Sequence, residues 1–533
     1  MIRRDFLRRT STGALSVLLP NVIDAQAAAP QFPRGDARIT GVFDVRAFGA
    51  VGDGRSIDTP AVNRAIAAAS SACGGTVCFP AGEYACYTIH LRSHVSLHLS
   101  AGATIIAAEV PKTGTMTGGY DQAGPSQPWE EYQDFGHNHW PNSLLYGDGL
   151  ENVSIDGPGL IWGKGLSRGE PDELPLAENP GVANKTIALK NCRNVLLRDF
   201  SILMGGHFAI LLTGTDNVVI DGLTIDTNRD GIDIDCCRNV RVSNCVVNSP
   251  WDDAICPKSS FALGYARSTE NVTISNCYVT GQYEFGTLLD GKFTHATYSE
   301  TRKSIGRIKC GTESNGGFKN ITVTNCVFES CRGFALETVD GAHIEDVTVS
   351  NLTMRGLVHS PLFLRLGARM RGPKGIAPGV LRRVLFSNIV SSGAVAQYPS
   401  IIAGISGAFV EDIKLDNIFL QQTGGGTAEW AALQPPERPA DYPDADMFGT
   451  LPACGFFLRH ARNLEFSNVE IATEMPDARP AIWAEDVDGL DVFRLRTGTI
   501  APAFALRNVR DFRSFGSRDL PDRREYKADI LRF

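Results

Sequence analysis

The sequence predicts an all-β solenoid, a stack of short parallel coils, and two features carry that prediction. A paired motif recurs: Ser/Thr-Asn-Cys at 243–245, 275–277 and 324–326, continued as Ser-Asn-Leu 350–352, Ser-Asn-Ile 387–389, Asp-Asn-Ile 416–418 and Ser-Asn-Val 467–469. An upstream Asn-Val or Asn-Ile precedes it at 194, 217, 239, 271 and 320, at intervals of 23, 22, 32 and 49 residues. A short period stretched unevenly is the signature of coils from which loops leave. The segments "NVVIDGLTI", "NVRVSNCVV", "NVTISNCYV" and "NITVTNCVF" alternate apolar with polar residues and are rich in Val, Ile and Thr, as half-buried strands are.

Each element then follows in order. "DTPAVNRAIAAASS" puts Asp58 and Thr59 before Pro60 and sets Val62 and Ile66 on one face, which predicts a short helix capping the open end of the stack. "GGTVCFPAGEY" and "HVSLHLSAGATI" read as first coils. The repeated Asn predicts amide ladders running up the stack. Cys245, Cys277 and Cys326 share one repeated context, so the odd total of 13 Cys reads as small core fillers rather than a disulfide framework. From Leu357 to about residue 510 the coils continue. The charged C-terminus reads as peripheral.

The first 27 residues, with Arg3-Arg4, a modest apolar run and Ala25-Gln26-Ala27, resemble a twin-arginine export signal. The mature chain, 28–533, is therefore expected to be one periplasmic or secreted domain and a monomer. A net charge of -8 without a Lys/Arg-rich run in the mature region gives no electrostatic footprint for nucleic acid or an anionic membrane.

"DTNRDGIDIDCCRNVRVSNCVVNSPWDDAICPKSS", 226–260, interrupts the apolar strands with acids. Asp230 and Asp252 are 22 residues apart, the interval from Asn217 to Asn239, which predicts that they occupy equivalent points of adjacent coils, ~4.8 Å apart. Asp230, Asp252 and Asp253 would then share one patch. Crowded like charges leave one carboxyl protonated and another ionised, the division of labour that glycoside hydrolysis needs.

The opening from Phe43 to Ile106, beginning "FDVRAFGAVGDG", resembles the pectate-lyase superfamily, which implies a single-stranded right-handed parallel β-helix. Asn228-Arg229-Asp230, Asp252-Asp253 with Lys258 following, and Arg307-Ile308-Lys309 resemble the Asn-Thr-Asp, Gly-Asp-Asp and Arg-Ile-Lys motifs of glycoside hydrolase family 28, the polygalacturonases; the catalytic coils would be 194–351. The resemblance implies Asp252 as general acid, Asp230 and Asp253 as the groups that position and deprotonate water, inversion at the anomeric centre, and Arg307 and Lys309 gripping a galacturonate carboxylate. Adjacent-coil stacking by itself predicts the closer carboxylate spacing associated with retention. Asn228, Lys258 and Glu284 complete the expected substrate-binding set. The family's Gly-His-Gly is missing: "GQYEFGTLLDG" puts Phe285 in its place, with Glu284 beside it as a polar replacement or a turn residue. Rhamnogalacturonan-cleaving relatives also lack that His, so galacturonan and rhamnogalacturonan both stand as substrates.

Three segments read as cleft walls. "SSFALGYARSTE" resembles a loop of exo-acting members; residues 120–143 concentrate Trp129, Tyr132, Phe135, His137, His139 and Trp140, for sugar stacking or loop packing; and 434–460 is Pro-rich and long. No Gly-rich nucleotide loop or metal motif calls for a cofactor. Two other classes fit the scaffold: a lyase holding Ca²⁺ on Asp230, Asp233, Asp235, Asp252 and Asp253, and a non-catalytic glycan-binding protein.

Overall fold

The computed structural model describes residues 41–110, 119–168, 176–297 and 304–533, so the export-signal reading lies outside the described residues. They form a right-handed parallel β-helix. One face is a six-stranded parallel sheet of Ile89–His90, Leu145–Asp148, Lys185–Lys190, Phe208–Thr213, Asp230–Asp235 and Ile255–Lys258. Elsewhere around the coil runs a longer stack, from Val95–Leu99 and Glu151–Asp156 through Arg238–Ser243 to Phe504–Phe515.

Register explains the alternation. Val153, Val195, Val218, Val240, Val272 and Ile321 lie over one another in successive coils, each at most 2% exposed. Each such side chain contributes roughly 1.5–3 kcal/mol of burial, repeated along the stack. The Asn beside each of them adopts a left-handed backbone, with φ between 54° and 59°, where Asn is the best tolerated residue after Gly. Its amide donates to the Asn one coil below: Asn194 to Asn152 at 2.9 Å, Asn217 to Asn194 at 3.0 Å, Asn239 to Asn217 at 3.1 Å, Asn271 to Asn239 at 3.0 Å. A second ladder climbs from Asn244 through Asn276, Asn325, Asn351 and Asn388 to Asn417. All thirteen cysteines are free, and Cys245, Cys277 and Cys326 fill the core as expected.

The helix forms at Thr59–Ser71 and buries Ala61, Val62, Ala65, Ile66 and Ala69 against the first strands. Asp58 accepts from the backbone of Val51 and Gly52 rather than from the helix, tying down the preceding turn. The charged C-terminus is peripheral, as expected, and is ordered as an edge strand. Arg523–Arg532 is a strand pairing antiparallel with Phe504–Phe515, and Leu531 and Phe533 pack on the core. It covers the edge that the last parallel coil would otherwise leave open.

Candidate active site

The acidic floor lies where the six-stranded face ends. Val246–Asn248 stacks on Thr224–Asp226 at an interval of 22 residues, but Ile255 stacks on Ile232 at 23. One extra residue has entered between Asn248 and Ile255, and it corrects the expected register. The Gly231 amide donates to the Asp253 carbonyl and the Ile232 amide to that of Ala254, which sets Asp253, not Asp252, at the point equivalent to Asp230. Asp252 is pushed toward the cleft: its side chain is 22% exposed, against 3% for Asp230 and 1% for Asp253. The expected trio is assembled all the same, with carboxylate oxygens within 4.8 Å of one another.

Each carboxylate has a cation. Arg307 Nε lies 2.8 Å and Lys309 Nζ 2.5 Å from Asp253; Lys258 Nζ lies 3.3 Å from Asp230, 3.4 Å from Asp233 and 3.5 Å from Glu313. Arg229 Nη2 meets Asp252 at 2.9 Å. Burial, reinforced by the charges of Asp233 and Asp252, raises the Asp230 carboxyl well above the usual carboxylate range. Burial would also raise Asp252 and Asp253. At Asp252 it is outweighed by Arg229, Lys309 and Lys258, and at Asp253 by Lys309 and Arg307, so both are held low. The floor thus divides its carboxyls: burial and like charge bias Asp230 toward its protonated form, and the neighbouring cations bias Asp252 and Asp253 toward their ionised forms.

The structure divides the expected substrate-binding set: Lys258, Arg307 and Lys309 meet the acidic floor, and Asn228 and Glu284 lie apart from it. Arg307 and Lys309, each 2% exposed, hold Asp253 rather than face the cleft. Asn228 is fully buried, its amide oriented to donate to the Gly206 carbonyl at 3.2 Å and to accept from Arg168 Nε at 3.1 Å. Glu284 is exposed on a turn joined to Thr294 by a backbone hydrogen bond, while Phe285 packs edge-on against Trp251 with centroids 5.5 Å apart. Sequence reasoning missed Arg229 as a partner of Asp252, and missed Glu313, Glu337 and Asp444, which meet Lys258 and Arg307 only through folding. For Arg229 there was a signal: a cation in the middle of an acidic motif.

The aromatic segment resolves toward packing. Trp140 is buried, donates to Thr213 Oγ1 at 3.0 Å and lies under Lys190; His139 is held by Glu130 at 2.6 Å; Trp129 donates to the Ala262 carbonyl. Phe261, from the segment after Lys258, packs on Trp129 and Tyr132, so these two segments form one wall. The Pro-rich segment forms another. Buried Arg365 and Arg459 grip the carbonyls of Pro435, Pro436, Glu437 and Arg438, Asp444 pairs with Arg332, and the Tyr442 hydroxyl meets Thr312 Oγ1 at 3.0 Å. A divalent ion could use the spacing of the acidic oxygens, but the ammonium and guanidinium groups already supply the positive charge there, which is a poor fit to the lyase reading.

Two family models match the chain: "Right handed beta helix region" over residues 187–358 and "Rhamnogalacturonase A/epimerase, pectate lyase-like" over 42–160. A probable polygalacturonase of Vitis vinifera is 23% identical over 58% of this chain, which spans 60% of the grape protein's length. An exo-poly-alpha-D-galacturonosidase of Dickeya chrysanthemi is 23% identical over 73% of this chain and 72% of its own. A plasmin and fibronectin-binding protein A of Streptococcus pneumoniae is 29% identical over 48% of this chain and 33% of its own. Among solved structures, the family 28 exopolygalacturonase of Yersinia enterocolitica superposes with a TM-score of 0.61 at 20% identity, covering 84% of this chain and 78% of that one.

Proposed function

We propose that this chain, a right-handed β-helix protein resembling glycoside hydrolase family 28, is a glycosidase that hydrolyses a galacturonate-containing pectic glycan. One observation carries the reading: three carboxyl groups on one rigid floor, their oxygens within 4.8 Å of one another, with the most exposed of them facing the cleft. The polygalacturonase relatives support the substrate class.

In the reaction, Asp252 reaches the glycosidic oxygen and gives it a proton as the C–O bond breaks. That proton comes from Asp230, whose carboxyl shares the floor with it. Once ionised, Asp230 is stabilised by Lys258 and takes a proton from the water attacking the anomeric carbon, while Asp253, fixed by Arg307 and Lys309, orients that water. The cycle ends with Asp230 protonated and Asp252 ionised, the division that burial of Asp230 and the cations beside Asp252 favour. The family likeness favours inversion. Walls formed by residues 127–140 with 259–267 and by 434–448 favour attack at a chain end.

Mass spectrometry of products from polygalacturonate and rhamnogalacturonan oligomers tests the proposal. Saturated products carrying one added water, absent with Asp252→Asn, are expected. Products lighter by one water would replace the hydrolase with a lyase, and intact oligomers would favour a glycan-binding protein.

A further inference from the structure

Resting on that reading, we propose that Arg229 is the residue that recognises the sugar carboxylate, and that this binding draws Arg229 away from Asp252 and so releases the acid for catalysis. Several cationic side chains border the floor. The side chains of Lys258 and Arg332 are 6% exposed, that of Arg369 4%, and those of Arg307 and Lys309 3%, and half-buried Arg168 is held on Asn228. Arg229, with 27% of its side chain exposed and paired to the most exposed carboxylate of the trio, can meet an anion without dismantling a buried pair. It stands in the middle of Asn228-Arg229-Asp230, where its two neighbours point into the protein and it does not.

The setting favours exchange of partners over movement of the backbone. Ser249 Oγ donates to the carbonyls of Arg229, at 2.6 Å, and Asp252, at 3.0 Å, and the Trp251 amide donates to the Asn228 carbonyl at 3.1 Å, so the loop is pinned while both side chains stay partly in solvent. A planar guanidinium can turn its fork from one carboxylate to another. Asp252, Asp230 and Asp134 are the carboxylates that act most strongly on Arg229, and burial pushes the His207 imidazole beside it well below its ordinary value.

Release matters because of what remains. Without Arg229, Asp252 keeps Lys309 and Lys258 nearby but loses its directly paired cation, so its carboxyl is held less low beside those of Asp230 and Asp253 and stands closer to taking a proton from that floor. A uronate residue would thereby arm the acid that cleaves its own bond, whereas a sugar with a neutral C6 would leave Asp252 locked. Substrate selection would rest on this exchange as well as on affinity.

The test compares trigalacturonic acid with its methyl ester as substrates for the wild type, Arg229→Gln and Arg229→Lys, and uses calorimetry to measure binding of D-galacturonate and D-galactose. Arg229→Gln is expected to lose roughly tenfold or more in kcat/KM on the acid, mainly through KM, and to keep or gain activity on the ester, because Asp252 is no longer paired. Arg229→Lys should recover part of the loss. Galacturonate binding should weaken in parallel while galactose binding stays unchanged. Equal losses on acid and ester, or unchanged galacturonate binding in Arg229→Gln, would overturn the inference. Galacturonate binding that depends on Arg229 without hydrolysis of either oligomer would uphold Arg229 as the anion site and sink the proposed reaction alone.

Discussion

The Asn ladders and the acidic floor are built on the same coils and obey opposite rules. In the ladders one residue type repeats from coil to coil, because a side-chain amide both donates and accepts and each copy satisfies the next. On the floor the polar columns change from coil to coil: Leu211, Asp233 and Cys256 stack in one, Thr213, Asp235 and Lys258 in another, and where Asp230 and Asp253 do repeat, Lys258, Lys309 and Arg307 stand beside them. A carboxylate only accepts, so stacked carboxylates need a proton or a cation between them. In a solenoid the places where the repeat breaks are therefore the places with chemistry to offer.

Substitutions in the two regions should behave differently, and the largest contrast is catalytic. Asp252→Asn is expected to lower kcat by roughly 10³-fold or more with little change in thermal midpoint, read by product release and calorimetry; a drop of under tenfold would remove Asp252 from the acid's role. The pH profile comes next. Because Asp230 keeps its proton above the ordinary carboxyl value of about 3.9, activity should persist above that pH and fall as pH rises through the raised value and the floor loses the proton. A profile already falling near pH 4 would contradict the shared proton.

Stability separates the regions next. Lys258→Met leaves Asp230, Asp233 and Glu313 without their common cation, and should destabilise the fold by about 3–5 kcal/mol in denaturant titration. Asn239→Ala breaks one rung of a ladder and puts a Cβ without a polar tip at a φ of 59°, for about 1–2 kcal/mol, with activity retained. Asn239→Gly, which keeps the backbone freedom, should cost less than Asn239→Ala. The smallest effect is expected at Glu284→Gln, exposed on its turn: kcat/KM within about twofold of wild type.

These contrasts show what could be read from the chain. The coil architecture, the amide ladders, the free core thiols, the starting helix and the acidic trio all follow from local pattern: strand alternation, a turn that needs a left-handed residue, and a repeat interval. The sequence by itself determined that three carboxyls would meet. Which of them lies over which was decided by one extra residue between Asn248 and Ile255, invisible to an interval count because the loop after Lys258 stretches the next ladder interval, Asn239 to Asn271, to 32. Tertiary structure also decided the charge state. Glu313, Glu337 and Asp444 come from later coils and a distant loop, and the balance of burial against Lys258, Lys309, Arg307 and Arg229 depends on distances of a few ångströms that no local pattern encodes.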